Sequence, residues 1–278
     1  LGRAIQVRQR LIEAFPESEQ SKRALYQVGA NFHALAIYSQ AAQYYEQFAR
    51  RFPGEDGSNC SEAERTAGTC AIAHAALENA VFFRLGLGEE ETAIEDAHLY
   101  ETNYRRTRAR ETSQVIFSLG SIYERQGNWN RVYDHYRNFL RNYGRTALPH
   151  EVIRANVQMG RARWQLDQRD QAQPSFRAAT QAFERAQAGI QAAEGSDADR
   201  ALWLARAREA TSEALFYLAE YNFAEFRAVR FPRYSGPTTL VAVNRWSQTE
   251  LFPWLQSKFT ALRTAEAAYN LIAPLEIP

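Results

Sequence analysis

The sequence contains no run of about 18 consecutive apolar residues, the length that a membrane-spanning helix needs. It also lacks an excess of charge of either sign, because 33 Lys and Arg residues stand against 32 Asp and Glu residues and the net charge is +1. A chain with so balanced a charge has no global field that attracts nucleic acid or an anionic bilayer. Hydrophobic residues make up 45% of the 278 positions, which is typical of a globular protein and disfavours disorder. We therefore expect no transmembrane helix and no nucleic-acid partner.

Sequence motifs of catalysis and of metal or phosphate binding are also missing. The five histidines are spread over the chain, and none has a second His or a Cys at the spacing of metal ligands on a helix. The Gly-x-Ser-x-Gly turn that exposes a nucleophile does not occur. The glycines of segment 86–88 precede three glutamates, 89–91, which would repel a phosphate. We predict that this chain has no catalytic residues, binds no metal and needs no cofactor.

A pattern of small and aromatic residues recurs along the first two thirds of the chain. Its best copy consists of Leu25, Val28, Gly29, Phe32, Ala41, Tyr45 and Pro53. Small residues such as Gly29 and Ala41 fit where the two helices of a hairpin cross, since they let the helix axes approach to about 8 to 10 Å. Pro53 would end the second helix, because proline lacks the backbone N–H and clashes with the preceding turn.

This pattern resembles the tetratricopeptide repeat (TPR) in all seven positions. Further copies begin at Leu77, at Ile116 and at Asn156, and the first and last of these are degenerate. The resemblance implies an all-α fold, a right-handed solenoid of helical hairpins with longer helices at the C-terminal end. The predicted hairpins cover residues 22–52, 72–104, 112–143 and 151–194.

We predict two regions along the chain. Residues 1–195 carry the repeats, beginning with the second half of one repeat and including a Cys-containing insertion at 54–70. Residues 196–278 continue the solenoid as a helical hairpin and a terminal helix, which runs from about residue 246 to 271. Pro253 should either kink that helix or mark the first turn of a separate one.

The two cysteines of the chain, Cys60 and Cys70, lie alone in the polar insertion. A close pair in one long loop predicts a disulfide that restrains it. Disulfides persist in oxidising compartments, so this pairing favours a location outside the cytoplasm. The alternative is a pair of reduced thiols in the loop of a cytosolic protein.

The sequence of the first full repeat, residues 24–53, is similar to that of periplasmic TPR proteins of Gram-negative bacteria, of which the β-barrel assembly lipoprotein and the Tol-Pal coordinator are examples. The resemblance implies a non-enzymatic scaffold that binds proteins in the periplasm, with association to the outer membrane only through other components. Two alternatives stay open. The chain could be a cytoplasmic TPR adaptor or chaperone, or the recognition arm of an enzyme whose catalytic domain lies outside it.

In a TPR-like stack, the first helix of each hairpin lines a concave groove that binds a peptide or a helix of the partner. Aromatic and arginine side chains on such a surface are frequent anchors. The predicted partner-binding residues are Tyr26, His33, Phe117, Glu124, Arg161 and Trp164. The alternative is that the aromatic residues among them pack between neighbouring repeats. The terminal helix, which carries Trp254 and Phe259, is a second candidate surface, for further repeats or another subunit.

Overall fold

The computed structural model of the chain describes residues 1–67, 69–192 and 195–275. Every regular element in these residues is a helix, and none of them belongs to a strand. The predicted all-α class is therefore confirmed. The helices are α1 (Gly2–Ala14), α2 (Glu19–Ala34), α3 (Tyr38–Arg51), α4 (Glu62–Thr66), α5 (Ala73–Leu87), α6 (Glu90–Tyr104), α7 (Ala109–Ser118), α8 (Gly120–Arg125), α9 (Trp129–Tyr143), α10 (Pro149–Gln165), α11 (Arg169–Ala192), α12 (Asp197–Ala228), α13 (Leu240–Trp246) and α14 (Phe252–Asn270), with a π-helical turn at Ser247–Leu251 and a 3₁₀ turn at Ala273–Leu275.

The chain forms two compact units. The first unit contains residues 1–128 and 142–147, and the second contains residues 129–141 and the chain from 148 onward. The boundary that the sequence predicts at residue 195 lies within the second unit, and the division at that point stays a prediction.

In the first unit the predicted hairpins at 22–52 and 72–104 are the pairs α2–α3 and α5–α6. Gly29 lies where α2 meets α3, and a Cβ placed on it would come within 2.8 Å of the Tyr45 ring. Ala41 on the facing helix is fully buried. The small residues of the repeat pattern therefore allow the close helix crossing that the sequence predicts.

The segment predicted as a hairpin at 112–143 contains α7 and α8 of the first unit, with a break at Leu119, and α9, of which residues 129–141 belong to the second unit. The pairing of these helices stays a prediction. The hydroxyls of Ser118 and Ser121, on either side of the break, donate to the carbonyls of Val115 (2.7 Å) and Ser118 (2.8 Å). Such bonds from side chain to backbone compete with the helical pattern and bend helices.

In the second unit α10 and α11 form the predicted hairpin at 151–194, as far as the structure describes it. Gly160 repeats the role of Gly29, since a Cβ there would lie 2.6 Å from the ring of Phe176. Helix α12 then packs against both α10 and α11. It begins at the predicted cap, where the hydroxyl of Ser196 accepts a bond from the Asp199 amide (3.1 Å).

The terminal helix predicted from about residue 246 to 271 is part of a continuous helical stretch in the structure. Helix α13 runs through the π-helical turn directly into α14, and Pro253 follows this turn without starting a separate helix. Helix α14 packs along α12. Lys258 joins the two, since its ammonium donates to the carbonyls of Phe226 (2.6 Å) and Val229 (3.1 Å) at the C-terminal end of α12.

Candidate protein-binding site

Three helices of the first unit carry equivalent positions of the repeat pattern, which lie on one face in a TPR-like stack. Tyr26 on α2, Glu78 on α5 and Phe117 on α7 each follow the first large apolar residue of their repeat, and all three are half-buried. The residues that precede them are buried in the core of the unit. This face, to which Phe82 on α5 also belongs, is called the groove face below.

Tyr26 packs on the hairpin core and borders the insertion. Its ring lies 5.6 Å from that of Tyr45 and 5.4 Å from that of Phe48, measured between centroids, and burial raises the pKa of its hydroxyl. On its other side it lines a cleft of about 290 Å³. The other residues of this cleft are Asp56, Gly57, Arg65, Cys70 and Ile72. A partner that reaches Tyr26 through this cleft would therefore touch the insertion as well.

The insertion is closed by the predicted disulfide. Cys60 and Cys70 are bonded, with their Cα atoms 5.6 Å apart, and Cys70 is buried. The guanidinium of Arg65 donates to the carbonyl of Gly57 (3.1 Å) across the same loop. Gly57 has a positive φ of 77°, and a Cβ there would lie 2.8 Å from the sulfur of Cys70, so the loop needs glycine at this position.

Ion pairs attach the insertion to α2. The ammonium of Lys22 lies 2.7 Å from Glu55 and 2.9 Å from Glu19, and the hydrogen bonds to these carboxylates raise its pKa, that to Glu55 most. Arg23, one residue further on, lies 3.4 Å from Glu64 of α4. The N-terminal part of the groove-lining face of α2 is therefore engaged by the insertion, which the sequence did not predict.

His33 is exposed at the C-terminal end of α2 and lies against an aromatic cluster. Its ring is 4.8 Å from Phe83 and 6.1 Å from Tyr38, centroid to centroid. Phe117 and Glu124 lie two helical turns apart on α7 and α8, and both are half-buried. Tyr26, His33, Phe117 and Glu124 thus all belong to the first unit, and their role in binding stays a prediction.

Glu78 and Phe82 also lie on the groove face, but they were not among the partner-binding residues predicted from the sequence. The side chain of Phe82 is 41% exposed, so its ring is accessible to a partner. Both residues are in the degenerate repeat, where aromatic residues of the pattern are lost. The repeat spacing counted from Leu77 would have placed them, since Glu78 corresponds to Tyr26 and Phe82 to Ala30.

The remaining predicted anchors, Arg161 and Trp164, lie in the second unit. The Trp164 ring is 5.0 Å from Tyr217 and 5.4 Å from Tyr221, both on α12, and 6.4 Å from Phe176 on α11. Trp164 therefore packs between neighbouring helices, which is the alternative considered for it from the sequence. It is half-buried, and its role in binding stays a prediction.

Arg161 is half-buried on the same helix. Its guanidinium donates to the side-chain oxygen of Gln158 (3.4 Å) and lies 6.0 Å from the centroid of the Trp129 ring. About two turns earlier on α10, the guanidinium of Arg154 lies 2.7 Å from a carboxylate oxygen of Glu209 and 2.7 Å from one of Glu213, both on α12. This side of α10 is thus lined by arginines, of which Arg154 is held in ion pairs.

Helix α14 carries a row of exposed apolar side chains, called the terminal stripe below. It consists of Phe252, Leu255, Phe259 and Leu262, which are 58, 47, 54 and 44% exposed. Their spacing of three and four residues places them on one side of the helix. Trp254 is half-buried and packs on Phe231, with 4.9 Å between ring centroids. Exposed apolar rows of this kind occur at sites that contact other proteins, membranes or ligands.

The first unit also contains a buried pair of carboxyl groups that sequence reasoning did not find. Asp96 on α6 has no exposed side-chain surface and lies within hydrogen-bonding reach of Glu46 on α3. Burial, followed by the charge of Glu46, raises the pKa of Asp96 to about 7. Arg50 lies 2.9 Å from Asp96, and Arg84 lies 2.6 Å from Glu46.

Such carboxyl pairs occur in acid–base catalytic sites and also in structural ion-pair networks. Neither Asp96 nor Glu46 lines the clefts at Tyr26, at Lys22 or at His74. We therefore interpret the pair as a packing element that joins α3, α5 and α6.

The described part of the chain was compared with the requirements of a metal site and of a membrane-spanning helix. Its His, Cys, Asp and Glu side chains form no group of three or more that could hold a metal ion. None of its helices combines the length and the hydropathy that crossing a bilayer requires.

Comparison with known families identifies one repeat. Residues 23–54, which contain most of α2 and all of α3, match the family model of the tetratricopeptide repeat. No curated protein matches the chain. The chain therefore carries a tetratricopeptide repeat at the place where the sequence pattern is clearest, within a fold of TPR-like hairpins. Repeats of this kind generally mediate binding to other proteins.

Proposed function

We propose that this chain is a non-enzymatic scaffold of a bacterial periplasm, where it binds other proteins within a larger envelope assembly. The observation that carries the proposal is the groove face. Its large side chains, Tyr26, Phe82 and Phe117, keep part of their surface accessible. Aromatic residues that are partly accessible on a helical scaffold are frequent anchors for a partner.

The periplasmic part of the proposal rests on the disulfide and on the resemblance to periplasmic TPR proteins. The bond between Cys60 and Cys70 closes an insertion that has only a short helix of its own. Such bonds are rare in the reducing cytosol. Fractionation of the native bacterium tests the compartment, with thiol alkylation of the released protein. Periplasmic release with both thiols protected supports the proposal, and a cytosolic protein with two free thiols favours the adaptor alternative.

Alanine substitutions on the groove face test the binding role. We expect Phe82→Ala and Phe117→Ala to weaken capture of the native partner by about 1 to 4 kcal/mol, the range of interface anchors. Glu95→Ala is the matched control, since Glu95 is exposed on α6, the second helix of its hairpin. Capture is quantified from a periplasmic extract by mass spectrometry, with circular dichroism to confirm folding. Equal capture by all three variants would contradict the proposed role of the groove face in binding.

The terminal stripe is the second surface through which we propose contact with further repeats or another subunit. The stripe leaves an apolar row exposed on α14, and such a row is covered when another protein packs on it. Alanine at Phe259 that abolishes partner capture, while groove-face variants keep it, would identify the stripe as the main binding surface, and alanine at Trp254 tests the rest of α14.

A further inference from the structure

Residues 226–249 carry positive charge and no negative charge. This segment contains four arginines and neither Asp nor Glu, whereas the whole chain has 33 basic and 32 acidic residues. The four are all exposed and are Arg227, Arg230, Arg233 and Arg245. None of them makes an ion pair or a side-chain hydrogen bond with a residue that the structure describes. The balanced charge of the chain therefore conceals a local excess, and residues 226–249 are called the arginine segment below.

The arginine segment also exposes two neighbouring aliphatic side chains. Leu240 and Val241, called the aliphatic pair below, lie in the first turn of α13 and are 76 and 73% exposed. No other large apolar residue of the described chain is as exposed. Arg245 follows Val241 by four residues, which places the two on the same side of α13. An apolar surface and an unpaired cation thus lie next to each other.

Aromatic contacts hold the segment in place. The ring of Phe231 lies 4.9 Å from that of Trp254 on α14 and 6.3 Å from that of Trp246 at the end of α13, centroid to centroid. The ring of Tyr234 lies 5.2 Å from that of Trp246. The stretch between α12 and α13 is therefore packed on both following helices. The aliphatic pair is exposed on an element that is fixed by its neighbours.

The chemistry of this surface fits the interface of an anionic lipid bilayer. Arginines near such a surface are attracted by its negative potential. Aliphatic side chains next to them enter the boundary between headgroups and acyl chains, and Trp and Tyr are enriched at the same depth. An acidic protein would also attract the arginines, but a charged surface offers no apolar layer to two projecting aliphatic side chains.

We propose that the arginine segment binds the surface of an anionic lipid bilayer, with the aliphatic pair entering the headgroup region and the arginines pairing with lipid phosphates. The resemblance to periplasmic TPR proteins implied association with a membrane only through other components. The proposal adds a direct contact, made by the second unit. It does not depend on the groove face, which belongs to the first unit.

Vesicle flotation tests the role of the charge. We expect the purified chain to bind vesicles of phosphatidylglycerol and phosphatidylcholine at least tenfold more tightly than vesicles of phosphatidylcholine alone. Arg233→Gln combined with Arg245→Gln should weaken this binding about tenfold or more, since each basic residue near an anionic surface contributes about fivefold. Arg106→Gln combined with Arg110→Gln is the matched control. It removes the same charge from exposed positions of the first unit and should change binding less than about twofold.

An environment-sensitive fluorophore, NBD, tests entry of the aliphatic pair. Attached to Val241→Cys, it should shift its emission to the blue when phosphatidylglycerol vesicles are added. The native cysteines are bonded to each other in the oxidised chain, so the label reacts with the new thiol. The same label on Glu95→Cys, exposed on α6 of the first unit, should keep its emission in water.

The results separate a bilayer from other partners. Equal binding to both kinds of vesicle, or no binding, would contradict the proposal. Binding that needs the arginines while the label at position 241 stays in water would also contradict it, and would favour an acidic protein as the partner. The substituted residues are exposed, and circular dichroism shows whether each variant keeps its fold. Either failure would leave the proposed role of the groove face untouched.

Discussion

At the scale of single residues, the packing of two hairpins depends on a glycine, Gly29 between α2 and α3 and Gly160 between α10 and α11. Gly29→Ala should destabilise the chain by about 1 to 3 kcal/mol, as overpacking does, because the new methyl group would lie 2.8 Å from the Tyr45 ring. Gly86→Ala is the matched control on an exposed part of α5, where no atom lies within 4 Å of the added Cβ. It should be neutral or stabilising by up to about 1 kcal/mol through helix propensity. Urea unfolding measures both, and equal effects would contradict the crossing.

Asp96 should make stability depend on pH. Its pKa is about 7 in the folded chain, from an ordinary value of 3.8, so the folded state binds more protons than the unfolded state between about pH 4 and pH 7. Its contribution is therefore present at low pH and falls as the pH rises through this range. Asp96→Asn keeps an oxygen for Arg50 and mimics the protonated form.

We expect Asp96→Asn to flatten the decline in unfolding free energy between pH 4 and pH 7 and to be the more stable chain at pH 8. Urea titrations of both chains at several pH values measure the slope. Glu151 in the second unit also has a pKa raised to about 7, mainly by burial, so part of the decline should remain. An unchanged slope in Asp96→Asn would show that the carboxyl pair is ionised throughout.

The residues of the repeat pattern could be predicted because each acts through local spacing. Gly29, Ala41 and Tyr45 occupy the positions that a hairpin crossing requires, and the sequence places them there. The pair of Asp96 and Glu46 could not be predicted in this way, since their proximity depends on how α3 and α6 pack around α5. The repeat spacing also gives the position of Glu78. It was missed because Glu78 is not aromatic, whereas its equivalents Tyr26 and Phe117 are.

At the scale of elements, the insertion is the least regular part of the first unit, and its disulfide should matter to stability. The simple loop-entropy estimate for a short closed loop gives a loss of about 2 to 3 kcal/mol when Cys60 and Cys70 are both replaced by Ser. The wild-type chain should lose a similar amount in reductant, and the double variant should lose nothing further. Urea unfolding with and without dithiothreitol measures this. A double variant as stable as the oxidised chain would contradict a structural role for the bond.

Substitutions at two neighbouring residues of α14 should differ in their effect on stability. Lys258→Met removes two hydrogen bonds to carbonyls at the end of α12 and should cost about 1 to 3 kcal/mol. Phe259→Glu changes a side chain that is 54% exposed and should alter stability by less than about 0.5 kcal/mol. It should also reduce binding of the dye ANS to the terminal stripe. Thermal unfolding and dye fluorescence measure the two effects, and a strongly destabilised Phe259→Glu would mean that the stripe is packed.

The start of α12 followed from the sequence because the cap at Ser196 marks it. Proline is a weaker signal in this chain, since Pro174 lies inside α11 and Pro253 lies within a continuous helical stretch. The π-helical turn before Pro253 and the ion pairs that attach the insertion to α2 were not predicted. Both depend on tertiary packing, which overrides the local signals that a sequence shows.

At the scale of the whole molecule, the chain consists of two helical units, the first with the matched repeat and the groove face, the second with the terminal stripe. The fold class could be predicted because the repeat pattern sets the helix spacing, and the partner could not be predicted because the pattern does not specify the exposed side chains. Repeat hairpins contact mainly their neighbours, so the faces that are not used in stacking remain open to recognition.

The central claim is that the groove face of the first unit binds a protein partner. A photo-crosslinking amino acid placed at position 82 in living cells tests it most directly, with position 95 on α6 as the matched control, since Phe82 and Glu95 are both exposed in neighbouring helices. The account predicts one dominant crosslinked protein from position 82, reduced by Phe117→Ala, and none from position 95. Equal crosslinking at both positions, or a specific product from position 95 alone, would contradict it.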